Sequence, residues 1–163
     1  MVSQLKDFTG PSIYLDTMIP YLLLRGIEEE VKRFFLRIER GEFVAYTSIL
    51  TFDELAYRLL LAFIKDRYEG SPLNHLRSRE TELMVEFSEK IANLLLRFRE
   101  LPHLVILDVL HTDLKALAEG MIKHQLRPRD ALHLAAMQRV GCFDLASNDA
   151  HFDNVPFIRR YEL

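Results

Sequence analysis

A chain of 163 residues, 49% hydrophobic and 28% charged, can bury roughly 70% of its unfolded surface and needs no second domain, so one domain over 1–163 is expected. The single cysteine, Cys142, lies in an apolar run and reads as a small buried hydrophobe, which leaves disulfides out of the fold. No run approaches the roughly 18 apolar residues of a membrane span and the first residues lack an apolar leader, so a soluble, cytoplasmic protein with no membrane partner is expected. The net charge of −3 argues against a broad nucleic-acid footprint, unless acidic residues are concentrated in a metal site.

In chain order, Gly10-Pro11 punctuates the entry to a short buried strand, Ser12 to Leu15, which ends at Asp16. Ile27, Val31, Phe34, Phe35 and Ile38 recur at helical spacing until Gly41 stops the pattern. A second strand is expected over Phe43 to Tyr46. From Thr47 a helix follows whose Leu50, Leu55, Ala56, Leu59, Leu60, Phe63 and Ile64 make it apolar on nearly every side, implying burial or a partner surface. Lys65 to Arg79, with Gly70-Ser71-Pro72, is polar and turn-rich and reads as a loop. Leu83 to Phe98 marks a long amphipathic helix, His103 to Leu107 a third strand, and Leu114 to Ile122 another helix. Pro128 suits the first turn of a helix running to Val140; Phe143 to Ala146 reads as a fourth strand and Phe157 to Arg159 as a fifth. Strands alternating with helices predict an α/β fold: a mainly parallel sheet of four to five short strands with helices on both faces.

Four carboxylates stand out against this frame: Asp16, Glu54, Asp130 and Asp149. In an open parallel sheet, ligands bind beyond the carboxyl ends of the strands. Asp16, Glu54 and Asp149 fall there by chain position; Asp130 joins them if the fold brings the first turn of its helix to the same edge. Each has a plainer explanation. Asp16 can cap a helix from Thr17, Thr51-Phe-Asp-Glu54 matches a capping box, Asp130 complements a helix dipole, and Asp149 in Ser-Asn-Asp-Ala can form a turn. As a set at one edge, they instead form an oxygen-rich site for Mg²⁺ or Mn²⁺, which makes phosphodiester hydrolysis the natural reaction.

The segments Ser-Ile-Tyr-Leu-Asp16-Thr, Thr-Ser-Ile-Leu-Thr-Phe-Asp-Glu54-Leu, Arg-Asp130-Ala-Leu-His-Leu-Ala and Leu-Ala-Ser-Asn-Asp149-Ala-His-Phe-Asp resemble the four motifs of a PIN domain, most similar to VapC-type toxins. The resemblance runs in order from about residue 12 to 160. It implies a three-layer PIN-like fold and a metal-dependent endoribonuclease, with one or two Mg²⁺ or Mn²⁺ ions on Asp16, Glu54 and Asp130 and on Asp149 as a less constant fourth ligand. It also implies RNA as substrate, a homodimer and a small antitoxin as partners. Ser147 stands where a hydroxyl could hold a ligand or phosphate, and Arg127 and Arg129 could position an RNA backbone; helix-end cations on a solvated surface are the alternative for both arginines. Asp153 reads as a surface residue or a water-mediated helper. His133 reads as a packing or half-exposed histidine that could still reach Asp130, and Tyr14 and Tyr21 as core residues or base-stacking platforms. A housekeeping RNA-processing nuclease and a non-catalytic PIN-like binding module are the competing readings.

Overall fold

Strand and helix alternation produces a fully parallel sheet in the computed structural model, which describes residues 2–163. Six strands take part: β1 (Ser3–Gln4), β2 (Ser12–Leu15), β3 (Val44–Ser48), β4 (Leu104–Leu107), β5 (Asp144–Ala146) and β6 (Arg159–Glu162). Their spatial order is β1-β6-β5-β2-β3-β4. The register pairs Tyr14 with both Tyr46 and Leu145, so β2 is the central strand. From β2 the chain builds outward through β3 and β4, then returns to the other side of β2 to add β5 and β6. The switch in direction therefore lies between β2 and β5, where a parallel sheet leaves its crevice.

Six helices cover the sheet: α1 (Met18–Arg25), α2 (Glu29–Glu39), α3 (Ile49–Arg67), α4 (Pro72–Arg99), α5 (Asp113–His124) and α6 (Pro128–Val140). Because successive side chains on a strand point to opposite faces, β2 serves two cores. Ile13 and Leu15 pack with Val31, Phe34, Phe35 and Ile38 of α2. Tyr14 packs on the other face with Ala131, Leu134 and Met137 of α6. Each of the α2 side chains is essentially fully buried and stabilises the fold by about 2 kcal/mol.

Two sequence expectations bear on the linked helices α3 and α4, and one of them needs correction. The polar stretch 65–79 is not a loop: α3 continues to Arg67, α4 begins at Pro72, and only four residues lie between them. Pro72 occupies the first helical position, where its missing N–H costs nothing, and Gly70 turns the chain at φ 93°. The polarity of this stretch reflects an exposed helix face; Arg79, at φ −140° and ψ 36°, marks a kink inside α4. The apolar α3 meets the expectation of burial. Leu59, Leu60, Phe63 and Ile64 are covered by Leu83, Phe87 and Ile91 of α4, so the surface assigned to burial or a partner is filled largely by the same chain. The sequence reading also lacks β1, offers α1 only as the helix from Thr17 that Asp16 can cap, and places the last strand too early, at 157–159 rather than Arg159–Glu162.

Helices α5 and α6 approach closely at Gly120, where an added Cβ would lie 3.1 Å from Ala131 Cβ. Ala131 is next to Asp130, so this contact sets the position of the first turn of α6. Gly120→Leu should therefore cost about 2 kcal/mol through overpacking, measured by urea denaturation, with unchanged helical content by circular dichroism.

Candidate active site

The central strand delivers Asp16 directly to the crevice. Its backbone N–H donates to the Ala146 carbonyl at 3.1 Å, continuing the β2–β5 pairing one residue past the strand. The side chain is held twice. Asp16 Oδ1 accepts from the Thr17 N–H at 2.8 Å and Oδ2 accepts from the Ser147 hydroxyl at 2.6 Å. With its one O–H directed at Asp16, Ser147 Oγ accepts from the Asp149 N–H at 3.0 Å. One buried hydroxyl thus ties the ends of β2 and β5 together.

A layer of buried hydroxyls lies at these strand ends: Thr17, Thr47, Ser48, Thr51 and Ser147 are all buried. Thr47 Oγ1 is 3.1 Å from the Leu15 carbonyl and 2.8 Å from Thr51 Oγ1. A carbonyl only accepts, so Thr47 donates to Leu15 and accepts from Thr51. This pins the carbonyl just before Asp16. Thr17 Oγ1 and Ser48 Oγ are buried and make no well-formed hydrogen bond among the described residues, yet they lie close enough to Glu54 and Tyr14 respectively to favour the charged form of each.

Glu54 comes from the second turn of α3. The capping-box alternative does not hold: the helix starts after Ser48, and Glu54 Oε1 is 2.9 Å from His133 Nε2. On the solvent side, Arg129 approaches Glu54 Oε2 at 3.9 Å and Asp53 at 3.5 Å. Burial pushes the Glu54 carboxyl up, but His133 and Arg129 outweigh it and hold the group below the usual carboxylate range. Asp149 caps a short 3-10 helix, Ala150–Asn154, accepting from the His151 N–H at 2.9 Å and lying 2.6 Å from its ring. Burial raises this carboxyl too, and the His151 contacts and Arg127 more than offset it, giving a net lowering. The turn-forming reading of Asp149 is therefore met locally, while the same residue also lines the crevice.

Asp130 behaves differently. It sits in the first turn of α6, as expected, but its Oδ2 is buried without a hydrogen-bond partner. Burial, then the charges of Asp149 and Asp16, raise its carboxyl above the usual range. The nearby His133 and Arg127 offset only part of this.

Asp16, Glu54, Asp130 and Asp149 line one cavity of about 430 Å³ together with Arg58, Arg127, Pro128 and Arg129. The sequence reading missed Arg58, one turn beyond Glu54 on α3; helical i, i+4 spacing was the available signal. Arg58 and Arg127 form no ion pair among the described residues. His133 is buried as a packing residue would be, yet both of its ring nitrogens are engaged. Asp153 is held by two hydrogen bonds to Arg160, at 2.8 and 3.0 Å, and does not line the cavity. Tyr14 is buried beneath the crevice and offers no face for stacking, while Tyr21 is half-buried against the core and does not line the cavity.

The donor set fits a hard divalent cation. Four carboxylates and no thiol line the cavity, and a buried carboxylate oxygen of Asp130 is left without a donor. Among the described residues no three Asp, Glu, His or Cys side chains already converge as a metal cage; drawing like charges closer costs free energy without a counter-ion.

An open parallel α/β sheet with an acidic crevice at its switch point defines the class of protein. Within that class, the PIN domain family matches residues 13–158, and the chain belongs to it. No curated protein matches the chain significantly in sequence. Several solved structures share the fold. A chain of the VapBC2 complex from Rickettsia felis, bound to a promoter DNA fragment, superposes with a TM-score of 0.62 at 13% identity, covering 93% of this chain and 98% of that one. The Mycobacterium tuberculosis toxin VapC20, which cleaves the sarcin-ricin loop, gives 0.59 at 16% identity, with coverage of 90% and 96%. FitAcB from Neisseria gonorrhoeae gives 0.56 at 18%, with coverage of 91% and 96%.

The raised Asp130 carboxyl has a measurable consequence. A carboxyl that binds its proton more tightly folded than unfolded destabilises the fold at pH values above its folded pKa, and the cost disappears as pH falls through that value. Asp130→Asn removes this charge at constant volume. In metal-free protein at pH 7 it should raise the thermal midpoint by about 2 °C, with the gain vanishing in acid; added Mn²⁺ should stabilise the wild type and not the variant.

Proposed function

We propose that the chain is a metal-dependent endoribonuclease, organised as one PIN domain and acting as the toxin of a toxin–antitoxin pair. The observation that carries this reading is the meeting of four carboxylates from separate segments in one arginine-rimmed crevice, with Asp130 left uncompensated. A bare acidic pocket gains nothing for a pure binding module, because its charges repel one another.

In this reading Asp16, Glu54, Asp130 and Asp149 hold one or two Mg²⁺ or Mn²⁺ ions. Such a cation acidifies a water molecule and neutralises charge developing on phosphorus. The chain's own residues do the rest. Ser147 and the Thr17 peptide fix both oxygens of Asp16, so its carboxylate enters the crevice already oriented. Arg58 and Arg127, unpaired and exposed at the rim, attract the RNA backbone and neutralise the phosphates flanking the scissile bond. Ser147 then acts as a positioning hydroxyl.

Membership of the PIN family and the fold shared with VapC20, a loop-cleaving toxin, support the nuclease assignment. The shared fold with members of the VapBC2 and FitAB assemblies supports a small antitoxin as partner. A groove of about 410 Å³ between α3 and α4, lined by Tyr57, Leu60, Leu76, Met84, Ile91 and Leu95, offers apolar surface beside Asp53 for such a protein. A homodimer and a cytoplasmic location complete the proposal; no helix among the described residues is long and apolar enough to cross a membrane.

The purified protein should cleave single-stranded RNA in Mn²⁺ or Mg²⁺ and lose the activity with excess chelator. Asp16→Asn and Asp130→Asn should each reduce cleavage by about 10²–10³-fold. Undiminished cleavage in chelator would remove the metal mechanism. Expression alone should arrest growth, with relief by a small protein encoded beside it; growth without arrest would favour a housekeeping RNA-processing role.

A further inference from the structure

Beneath the crevice, a hydrogen-bonded chain crosses three elements. Tyr14 of β2, fully buried, is 2.9 Å from His133 Nδ1, and His133 Nε2 is 2.9 Å from Glu54 Oε1. His133 itself is 1% exposed and Glu54 14%. The direction of the chain follows from what each group can do. An ionised carboxylate only accepts, so His133 Nε2 donates to Glu54; the tautomer with its proton on Nε2 leaves Nδ1 to accept the Tyr14 hydroxyl proton. The phenol ring also packs edge-on against the imidazole, at 5.7 Å between centroids and 68° between planes.

A histidine needed only for packing could be replaced by an apolar side chain without exposing any polar atom. Here replacement would take from the Tyr14 hydroxyl and from Glu54 Oε1 the partner each has at 2.9 Å, and both ends of the chain lead to the crevice. Tyr14 is two residues before Asp16 on the central strand, and His133 is one turn beyond Asp130 on α6. The imidazole therefore ties down one oxygen of Glu54, removes much of the freedom of that side chain and leaves Oε2 as the oxygen presented beside Arg129.

We propose that His133, braced by the Tyr14 hydroxyl, is a positioning residue that fixes the Glu54 carboxylate and thereby sets the divalent-cation affinity of the crevice. The proposal rests on the metal-binding reading given above. Partners that orient a ligating side chain typically contribute 10–100-fold in metal affinity, and a buried network of this kind rigidifies its members when every one is satisfied.

The test is calorimetric titration of Mn²⁺ into the full chain, with circular dichroism and thermal melts confirming that each variant is folded. His133→Leu should weaken Mn²⁺ binding by about 10-fold or more. His133→Gln keeps an amide donor near the Nε2 position and should recover part of the loss. Tyr14→Phe removes only the hydroxyl and should give a smaller loss, which disappears in the His133→Leu background because Tyr14 acts through the imidazole. Should His133→Leu not fold, Tyr14→Phe and His133→Gln decide the matter: wild-type affinity in Tyr14→Phe, with no advantage of a donor at 133, overturns the proposal. A purely structural role would lower the melting temperature without the glutamine rescue or the non-additive cycle. Absence of Mn²⁺ binding in the wild type would overturn the metal reading and this role together. Loss of binding in Asp130→Asn with affinity retained in folded His133→Leu would overturn this role alone.

Discussion

Mutual repulsion among half-buried carboxylates is the constraint around which the rest of this structure is arranged. Charge in a partly dry crevice is costly, and the four groups are accommodated by different means. Asp16 receives a peptide N–H and a serine hydroxyl, Glu54 an imidazole and a distant guanidinium, and Asp149 the start of a short helix. Asp130 alone is left with an unpaired oxygen and a raised carboxyl. The residual strain is concentrated on one residue, and a single cation could offset it. This pattern of three compensated acids and one uncompensated acid is what stability alone would select against, and it fits the trade-off between stability and activity common at functional sites.

The sheet topology explains why such residues meet. A chain that builds to one side of β2 and then crosses to the other leaves β2 and β5 adjacent, with connections diverging above them. Asp16 and Ser147 follow those two strands directly, and the N-terminal turns of α3 and α6 bring Glu54 and Asp130 to the same edge. Hydroxyl side chains fill the space below, where apolar residues would leave the strand-end carbonyls and carboxylates without partners. Thr47 and Thr51 do this for Leu15, and Ser147 does it for Asp16 and Asp149.

Much of this was legible in the order of residues. Apolar runs located β2, β3, β4 and β5, and three of the four carboxylates could be placed at the crevice from chain position because a parallel sheet leaves no other edge for them. The rest depended on contacts distant in the sequence. Glu54 fits a capping box on local pattern, yet its partner is a histidine 79 residues away. His133 looked like a packing residue because burial and hydrogen bonding at both nitrogens leave no separate trace in sequence. The stretch 65–79 was misread because an exposed helix and a loop share a polar composition; Pro72 gave a helix start as readily as a break. The apolar α3 left burial and a partner surface as alternatives, because the covering role of α4 shows only once the hairpin that joins them has formed.

The pairing of β1 has a consequence for the chain as it is made. Ser3 and Gln4 pair with Tyr161 and Glu162 on β6 and with no other strand. The same β6 flanks β5, where the Tyr161 carbonyl accepts the Ser147 N–H. Parallel pairings across such sequence distances form slowly and late. The bracing that β1 and β6 give to the strand end at Ser147 is therefore expected to be among the slowest parts of the fold to form.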